Sequence, residues 1–265
     1  MIKAIVNGCS GRMGRAIVNA IDNNENIELV GGVERAGSES IGMTLSEAAG
    51  AKANSRAVTD SLKNIIELAD VVIDFTSVDS SLESFRITTE SQKAIVIGTT
   101  GFTNEQKKRF NMMSKSSKSL ISPNMSIGVN VLFMLAAKAA KILDDYDAEV
   151  VEMHHNKKVD APSGTAYKLA ELIAQSRDLD FDKVACFERN GLIGPRKKDE
   201  IGVMTLRGGS VVGDHTVILA GDGEQIELTH KASDRGNFAF GAVKAALWLV
   251  KQPNGLYSMK DMLNF

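Results

Sequence analysis

From Met1 to about Ser126 the chain alternates short apolar runs with stretches of helical period, and this alternation constrains the fold more than any other feature. Ile2–Asn7, Ile27–Val33, Val71–Phe75, Ala94–Gly98 and Ser119–Ile121 read as strands. Between them, Arg12–Ile21 places Met13, Ala16, Ile17, Ala20 and Ile21 at helical spacing, and Leu62–Leu68, Ser80–Thr89 and Asn104–Met113 read as further helices. Strands that are apolar on both faces need cover on both faces. With right-handed crossovers, that dictates an α/β fold with a parallel, doubly wound sheet.

After about Ser126 the pattern changes. A long helix is predicted over Val129–Leu143, a strand over Ala148–His154 and a helix over Thr165–Gln175. Val203–Arg207, Ser210–Ala220 and Glu224–Lys231 alternate as longer strands. Gly208-Gly209 and Asp222-Gly223 lie between them and predict antiparallel hairpins. Residues 127–237 therefore read as a separate α+β domain with a mixed sheet. The closing segment, 238–265, reads as a helical pattern over Phe238–Val250 that packs back on the domain of residues 1–126. Ala36–Ser55, rich in Gly, Ser and Ala, reads as a long surface loop.

Composition narrows the class of function. The chain of 265 residues is 43% apolar, enough for ordinary cores. Its 31 basic and 33 acidic residues leave a net charge of -2, which gives no bulk attraction to nucleic acid or an anionic membrane. Val129–Leu143 is interrupted by Lys138 and Lys141 and is too short to span a bilayer. No leader pattern precedes the first strand. The cysteines, Cys9 and Cys186, form no pair motif, as expected of reduced thiols in a cytoplasmic protein.

Gly8, Gly11 and Gly14 fall three apart between the first strand and the first helix. Glycines there let the backbone approach a pyrophosphate, which the helix N-terminus then receives through free N–H groups and its dipole. Ser10 and Arg12 add donors. Glu34 stands at the end of the second strand, where an acid accepts from the adenine ribose hydroxyls, and Arg35 beside it can pair with a 2′-phosphate. The corner thus suits NADH and NADPH alike. The spacing departs by one residue from G-x-G-x-x-G, so strand and helix context carry the Rossmann-like reading. Gly98-Thr99-Thr100-Gly101 and Ser122-Pro123-Asn124-Met125 follow later strands, on the edge where open α/β sheets bind ligands. Ordinary turn chemistry explains them equally well.

The chemistry concentrates between Glu152 and Ala166. His154 and His155 are adjacent at a strand end, so their side chains face opposite ways. His154 is a natural general acid, and Lys158 adds a fixed positive charge. Asp160, Pro162 and Ser163 read as a turn into a helix whose start presents Ser163, Gly164 and Thr165 to a carboxylate or phosphate. The segment is an anion site beside a proton donor, and a solvated polar turn is its bland alternative. Adjacent histidines without a neighbouring cysteine or an i+4 histidine lack ligand spacing, so no metal site is predicted. His215 and His230 read as structural or interface residues, and Arg235 is a candidate for reaching the anion site.

At these residues the chain resembles the 4-hydroxy-tetrahydrodipicolinate reductases, also called dihydrodipicolinate reductases, of bacterial lysine and diaminopimelate biosynthesis. The likeness runs through Gly8-Cys9-Ser10-Gly11-Arg12-Met13-Gly14, Glu34-Arg35, Asp74-Phe75-Thr76, Gly98-Thr99-Thr100-Gly101 and Asn124. It continues through Glu152-Met153-His154-His155, Lys158 to Ala166, Arg207-Gly208-Gly209, Gly213 to Val217 and Ala245 to Leu249. The resemblance implies that His154 is the general acid and Lys158 a second catalytic donor. It implies that His155, Gly164 and Thr165 contact substrate, with Ser163 beside them. Gly8, Cys9, Ser10, Gly11, Arg12, Met13, Glu34, Arg35, Gly98, Thr99, Thr100, Ser122, Pro123, Asn124 and Met125 match cofactor contacts. It further implies a dinucleotide-binding domain, a substrate domain and a homotetramer joined through substrate-domain sheets. Val78 stands where a proline is common, Cys9 where alanine is usual and Met125 where phenylalanine is usual.

The expected activity is therefore reduction of a small cyclic dicarboxylate by NADH or NADPH, with loss of water. Two rivals stand beside it. One is another two-domain NAD(P)-dependent amino-acid dehydrogenase, which needs no His-His-Lys and Ser-Gly-Thr anion site. The other is a non-catalytic NAD(P)H-sensing protein, which needs neither His154 nor Lys158.

Overall fold

A computed structural model describes residues 1–234 and 236–264 of the chain. The first elements in chain order are β1 (Ile2–Asn7), α1 (Arg12–Asp22), β2 (Ile27–Val33), α2 (Leu45–Ala49), α3 (Leu62–Ile65), β3 (Val71–Asp74), α4 (Val78–Glu90), β4 (Ala94–Ile97), α5 (Asn104–Met113) and β5 (Lys118–Ile121). Then come α6 (Ile127–Ile142), β6 (Asp147–His154), α7 (Gly164–Ser176), α8 (Phe181–Val184), β7 (Ala185–Cys186), β8 (Ile201–Arg207), β9 (Gly213–Gly221) and β10 (Glu224–Ala232). The chain closes with α9 (Gly236–Leu249), β11 (Gly255–Tyr257) and α10 (Met259–Leu263). Two compact units result. One holds residues 1–127 and the segment from α9 onward, and the other holds residues 128–234.

The first unit is built on a parallel sheet in the order β11-β5-β4-β3-β1-β2. Side chains alternate across each strand. Ala4 and Val6 enter a core with Ile17 and Val18 of α1, Leu45 of α2 and Ala242 and Ala246 of α9. Ile5, between them, enters a second core with Leu62, Phe85 and Phe110. Both sheet faces are thus covered, which is why the strands are apolar throughout. Each fully buried side chain of this size contributes about 2 kcal/mol of transfer free energy. The strand order reverses between β1 and β3, whose carboxyl ends bring Asn7 and Asp74 together.

Two expectations for this unit are corrected. Ala36–Ser55 is not all loop, because α2 forms inside it. The Thr44 hydroxyl accepts from the Glu47 amide and the Glu47 carboxylate accepts from the Thr44 amide, a capping box that seats Leu45, Ala48 and Ala49 in the core. The helix expected within 238–265 ends at Leu249. Pro253 removes a donor and disfavours helical geometry before it, and β11 then adds to the sheet edge beside β5.

The second unit has a mixed sheet in the order β10-β9-β6-β8-β7. Strands β9 and β10 form the expected hairpin, turning at Gly223 with φ +86°. The hairpin expected at Gly208-Gly209 does not form. Strand β6 lies between β8 and β9, parallel to the first and antiparallel to the second. The reason is burial. Ala148 and Val150 of β6 pack with Val203 and Val217 of its neighbours against Leu169, Ala170 and Ile173 of α7. A parallel neighbour requires a crossover, and α7 lies on it. The face of β6 that carries Ala148 and Val150 also carries Glu152 and His154.

Candidate active site

In the first unit, Gly8 holds φ +75° and donates its N–H to the Val33 carbonyl at 2.8 Å. Gly11 caps α1 without any side-chain bond to its first amides. A Cβ on Gly14 would lie 2.0 Å from the Gly8 carbonyl oxygen. Only a glycine there lets the loop close over the helix start, leaving first-turn N–H groups to receive a phosphate. These residues fit a dinucleotide. Arg12 is exposed and Met13 packs against the core.

Glu34 follows β2, and its carboxylate accepts from the amide and hydroxyl of Ser10. Arg35 is exposed beside it. Both line a pocket of about 360 Å³ with Asp60, Ser61 and Lys63. Cys9 turns its thiol into the core, where burial first and the Glu34 charge second push its pKa up to about 12. A Cβ on Gly32 would meet that sulfur at 2.7 Å, so the cysteine is packing, not a nucleophile.

Asp74, wholly buried, ties the remaining loops together. It accepts from Asn7 at 2.7 Å, from the Thr76 hydroxyl at 2.7 Å and from Ser81 at 2.7 Å. Thr99 joins the network by accepting from the Thr76 amide at 3.1 Å. Gly98 is glycine because the Phe75 ring would lie 2.1 Å from its Cβ. Thr100 is exposed. In the next loop Ser122 donates to the Asn124 carbonyl, Pro123 is exposed and Met125 is buried. A Cβ on Gly241 would lie 1.8 Å from the Met125 carbonyl, so α9 presses directly on this loop.

In the second unit, the carboxyl ends of β6 and β8, the amino end of β9 and the start of α7 meet. His154 Nδ1 lies 2.5 Å from Oε2 of Glu152, which has no exposed surface. The same carboxylate accepts from both Arg207 terminal nitrogens at 2.9 and 3.0 Å, from the Ser163 amide at 3.0 Å and from Thr205 at 3.1 Å. Burial pushes the Glu152 carboxyl up, but the bonds from Arg207, His154 and Ser163 outweigh it and hold it below the usual carboxylate range. For His154, burial lowers the pKa, Glu152 raises it and the Lys158 and Arg207 charges lower it, with a net downward shift.

Ser163 caps α7 by accepting from the Ala166 amide at 3.2 Å, and its hydroxyl lies 3.0 Å from His215 Nε2. The His154 and His215 rings meet edge to face at 5.2 Å. Burial, then the His154 charge, pushes His215 down to about 4. Lys158 pairs with Asp160 at 2.8 Å, and His155 accepts from the Lys157 amide. A Cβ on Gly164 would meet open space. His154, Ser163 and the α7 start are thus brought together through Glu152. His215, expected to be structural, is a wall of this cluster. Arg235 lies outside the described residues.

Sequence reasoning gave no role to Glu152, Arg207 or Asp74. Glu152 was detectable, because residues two apart on a strand share a face and a glutamate there stands beside His154. Arg207 and His215 arrive through strand register across 55 and 63 residues from Glu152, and no local pattern announces that.

Comparison with known proteins decides what this arrangement belongs to. Residues 2–125 match the family model for the N-terminus of dihydrodipicolinate reductase, and residues 128–263 match that for its C-terminus. The chain belongs to the dihydrodipicolinate reductase family. It is 45% identical over 264 residues to 4-hydroxy-tetrahydrodipicolinate reductase of Syntrophobacter fumaroxidans, covering 99% of each chain. It is 44% identical to that of Syntrophotalea carbinolica at the same coverage. A dipicolinate-bound dihydrodipicolinate reductase from Paenisporosarcina sp. TG-14 superposes with TM-score 0.78 at 27% identity, covering 97% of both chains. Family membership makes the chain a nicotinamide-dependent oxidoreductase. Cys9 and Met125 are both core side chains, and Val78 opens α4 behind the cap residue Ser77.

Proposed function

We propose that the chain reduces 4-hydroxy-tetrahydrodipicolinate to tetrahydrodipicolinate with loss of water, and that it uses both NADH and NADPH. The observation that carries the reading is the junction at Glu152, where one buried carboxylate holds His154 and the amide of Ser163. It sets a proton donor beside a helix start suited to a ring carboxylate. An amino-acid dehydrogenase or a cofactor sensor needs neither.

Bound in the Gly8–Gly14 loop, the nicotinamide cofactor supplies the hydride. The substrate, once it has lost water, is a conjugated imine; hydride addition leaves the anion of an enamine, whose nitrogen pair re-forms the C=N bond as its carbon takes a proton. His154 protonates the enamine carbon. The enamine electron pair forms the new C–H bond, and the N–H pair stays on Nε2. Ser163, Gly164 and Thr165 hold one ring carboxylate, His155 lines its approach, and Lys158 exchanges Asp160 for substrate charge. Glu34 at the ribose and Arg35 at a 2′-phosphate let one corner serve both cofactors. Loops at Gly98–Thr100 and Ser122–Met125 would contact the nicotinamide half.

A homotetramer joined through second-unit sheets is also proposed. The sheet face opposite α7 carries Val151, Met153, Met204, Leu206 and Ile218, with Leu206 half exposed, an apolar row of the kind that a partner subunit covers. Light scattering would return four chain masses. A cytoplasmic setting fits the two unbridged cysteines, and no helix among the described residues is long and apolar enough to cross a membrane.

The test is His154→Ala. Turnover falls by roughly 10²–10⁴-fold, the usual share of a general acid, while NADH affinity is kept. Unchanged turnover rejects the role of His154.

A further inference from the structure

We infer that Glu152 is a positioning residue: it fixes the His154 ring so that Nε2 alone delivers the proton, and it locks that ring to the helix start and to the Lys158 turn. The inference rests on the reading of His154 as proton donor and deepens it.

Three observations carry it. First, Glu152 is sealed from solvent, yet its two oxygens accept from the His154 ring, both Arg207 terminal nitrogens, the Ser163 amide and the Thr205 hydroxyl. A buried carboxylate so fully donated to is ionised and accepts only. The proton in the 2.5 Å contact therefore belongs to His154 Nδ1. The neutral ring then carries Nδ1–H, leaving Nε2 as the atom that gains and loses the proton.

Second, the ring has little room to do otherwise. It is mostly buried, and a Cβ on Gly213 would stand 2.9 Å from Nε2. Any side chain at 213 would crowd the transferring atom.

Third, the partners of Glu152 are themselves site elements. Arg207, which grips Glu152, also donates to the Asp160 carbonyl at 2.7 Å, in the turn that carries Lys158. Ser163 starts the helix that would receive a substrate carboxylate. One carboxylate thus sets the spacing between proton donor, cation and anion site. Moving a proton-transfer group by a fraction of an ångström is costly, because the reacting atoms must meet in line.

The groups facing His154 are Glu152 on its own strand, Lys158 from the turn, Arg207 from β8 and His215 from β9. Of these only the Glu152 carboxylate favours the protonated ring. Removing its charge leaves the Lys158 and Arg207 charges, which both oppose protonation.

Glu152→Gln tests this, with its ring-shaped neighbours intact. We expect kcat to fall at least about tenfold, as when a proton-shuttling imidazole loses its orienting carboxylate, with KM changed far less. The limb of the rate profile that requires protonated His154 moves to lower pH. Glu152→Asp, which keeps the charge at shorter reach, restores the position of that limb. A purely structural residue would lower thermal stability without moving it. Nitrogen-15 spectra of the unmutated enzyme give a readout free of any folding defect: His154 must appear as the Nδ1–H tautomer when neutral. An Nε2–H tautomer overturns the inference, as does a Glu152→Gln enzyme with unaltered kcat and pH limb. If His154→Ala retains full activity, the reading of His154 fails instead. If His154→Ala is impaired while Glu152→Gln is not, only the role of Glu152 fails.

Discussion

Oε1 of Glu34 accepts both the backbone N–H and the hydroxyl of Ser10, at 2.9 and 2.7 Å. The acid at the end of β2 therefore braces the Gly8–Gly14 loop. Arg35, next along the chain, is exposed and lines the same pocket. Arg35→Ala should raise KM for NADPH about tenfold, the loss of one charge-assisted contact, and leave KM for NADH nearly unchanged. Steady-state kinetics with each cofactor decide it, and an equal change in both would remove Arg35 from 2′-phosphate recognition.

Gly14 bears on stability and binding together. A methyl group there would meet the Gly8 carbonyl oxygen at 2.0 Å and the Cys9 backbone at 2.7 Å. Backbone cannot swing aside as a side chain can, so Gly14→Ala forces the loop off the helix start. The expected cost is about 3 kcal/mol, together with loss of cofactor binding. Thermal unfolding and NADH fluorescence titration read the two effects. A variant that melts and binds as the parent does would show that the loop is not closed.

His215 gives the second unit a pH dependence of known sign. Burial pushes its pKa down to about 4 in the folded protein, below the ordinary histidine range. The unfolded chain thus binds the extra proton first, and stability falls as pH drops from about 6.5 towards 4. A depression of that size corresponds to about 3 kcal/mol in full. His154 and His230 are shifted the same way and add to the slope. Urea unfolding of His215→Gln across this window should show a flatter dependence than the parent. Parallel curves would mean that His215 protonates in the folded state without penalty.

Much of this molecule is legible in its residues where information is local. Ile2–Asn7, Ile27–Val33 and Asn104–Met113 declare their elements through period and β-branching, and the structure has them at those bounds. Helix α2 was equally local, since Thr44 and Glu47 stand at capping-box spacing, but the small residues around them masked it. What was not legible depends on pairing at a distance. The insertion of β6 between β8 and β9 follows from burial against α7, whereas Gly208-Gly209 looks like any hairpin turn. The same pairing delivers Arg207 and His215 to Glu152. The site was thus readable along one strand and one helix start, and unreadable across the sheet.

The proposed reaction is tested most directly by a coupled assay. The chain is given the freshly formed condensation product of pyruvate and aspartate semialdehyde, and oxidation of NADH and of NADPH is followed in parallel. Loss of nicotinamide absorbance that depends on both the substrate and the chain, with either cofactor, is the predicted result. Absorbance that stays constant with both cofactors would contradict it.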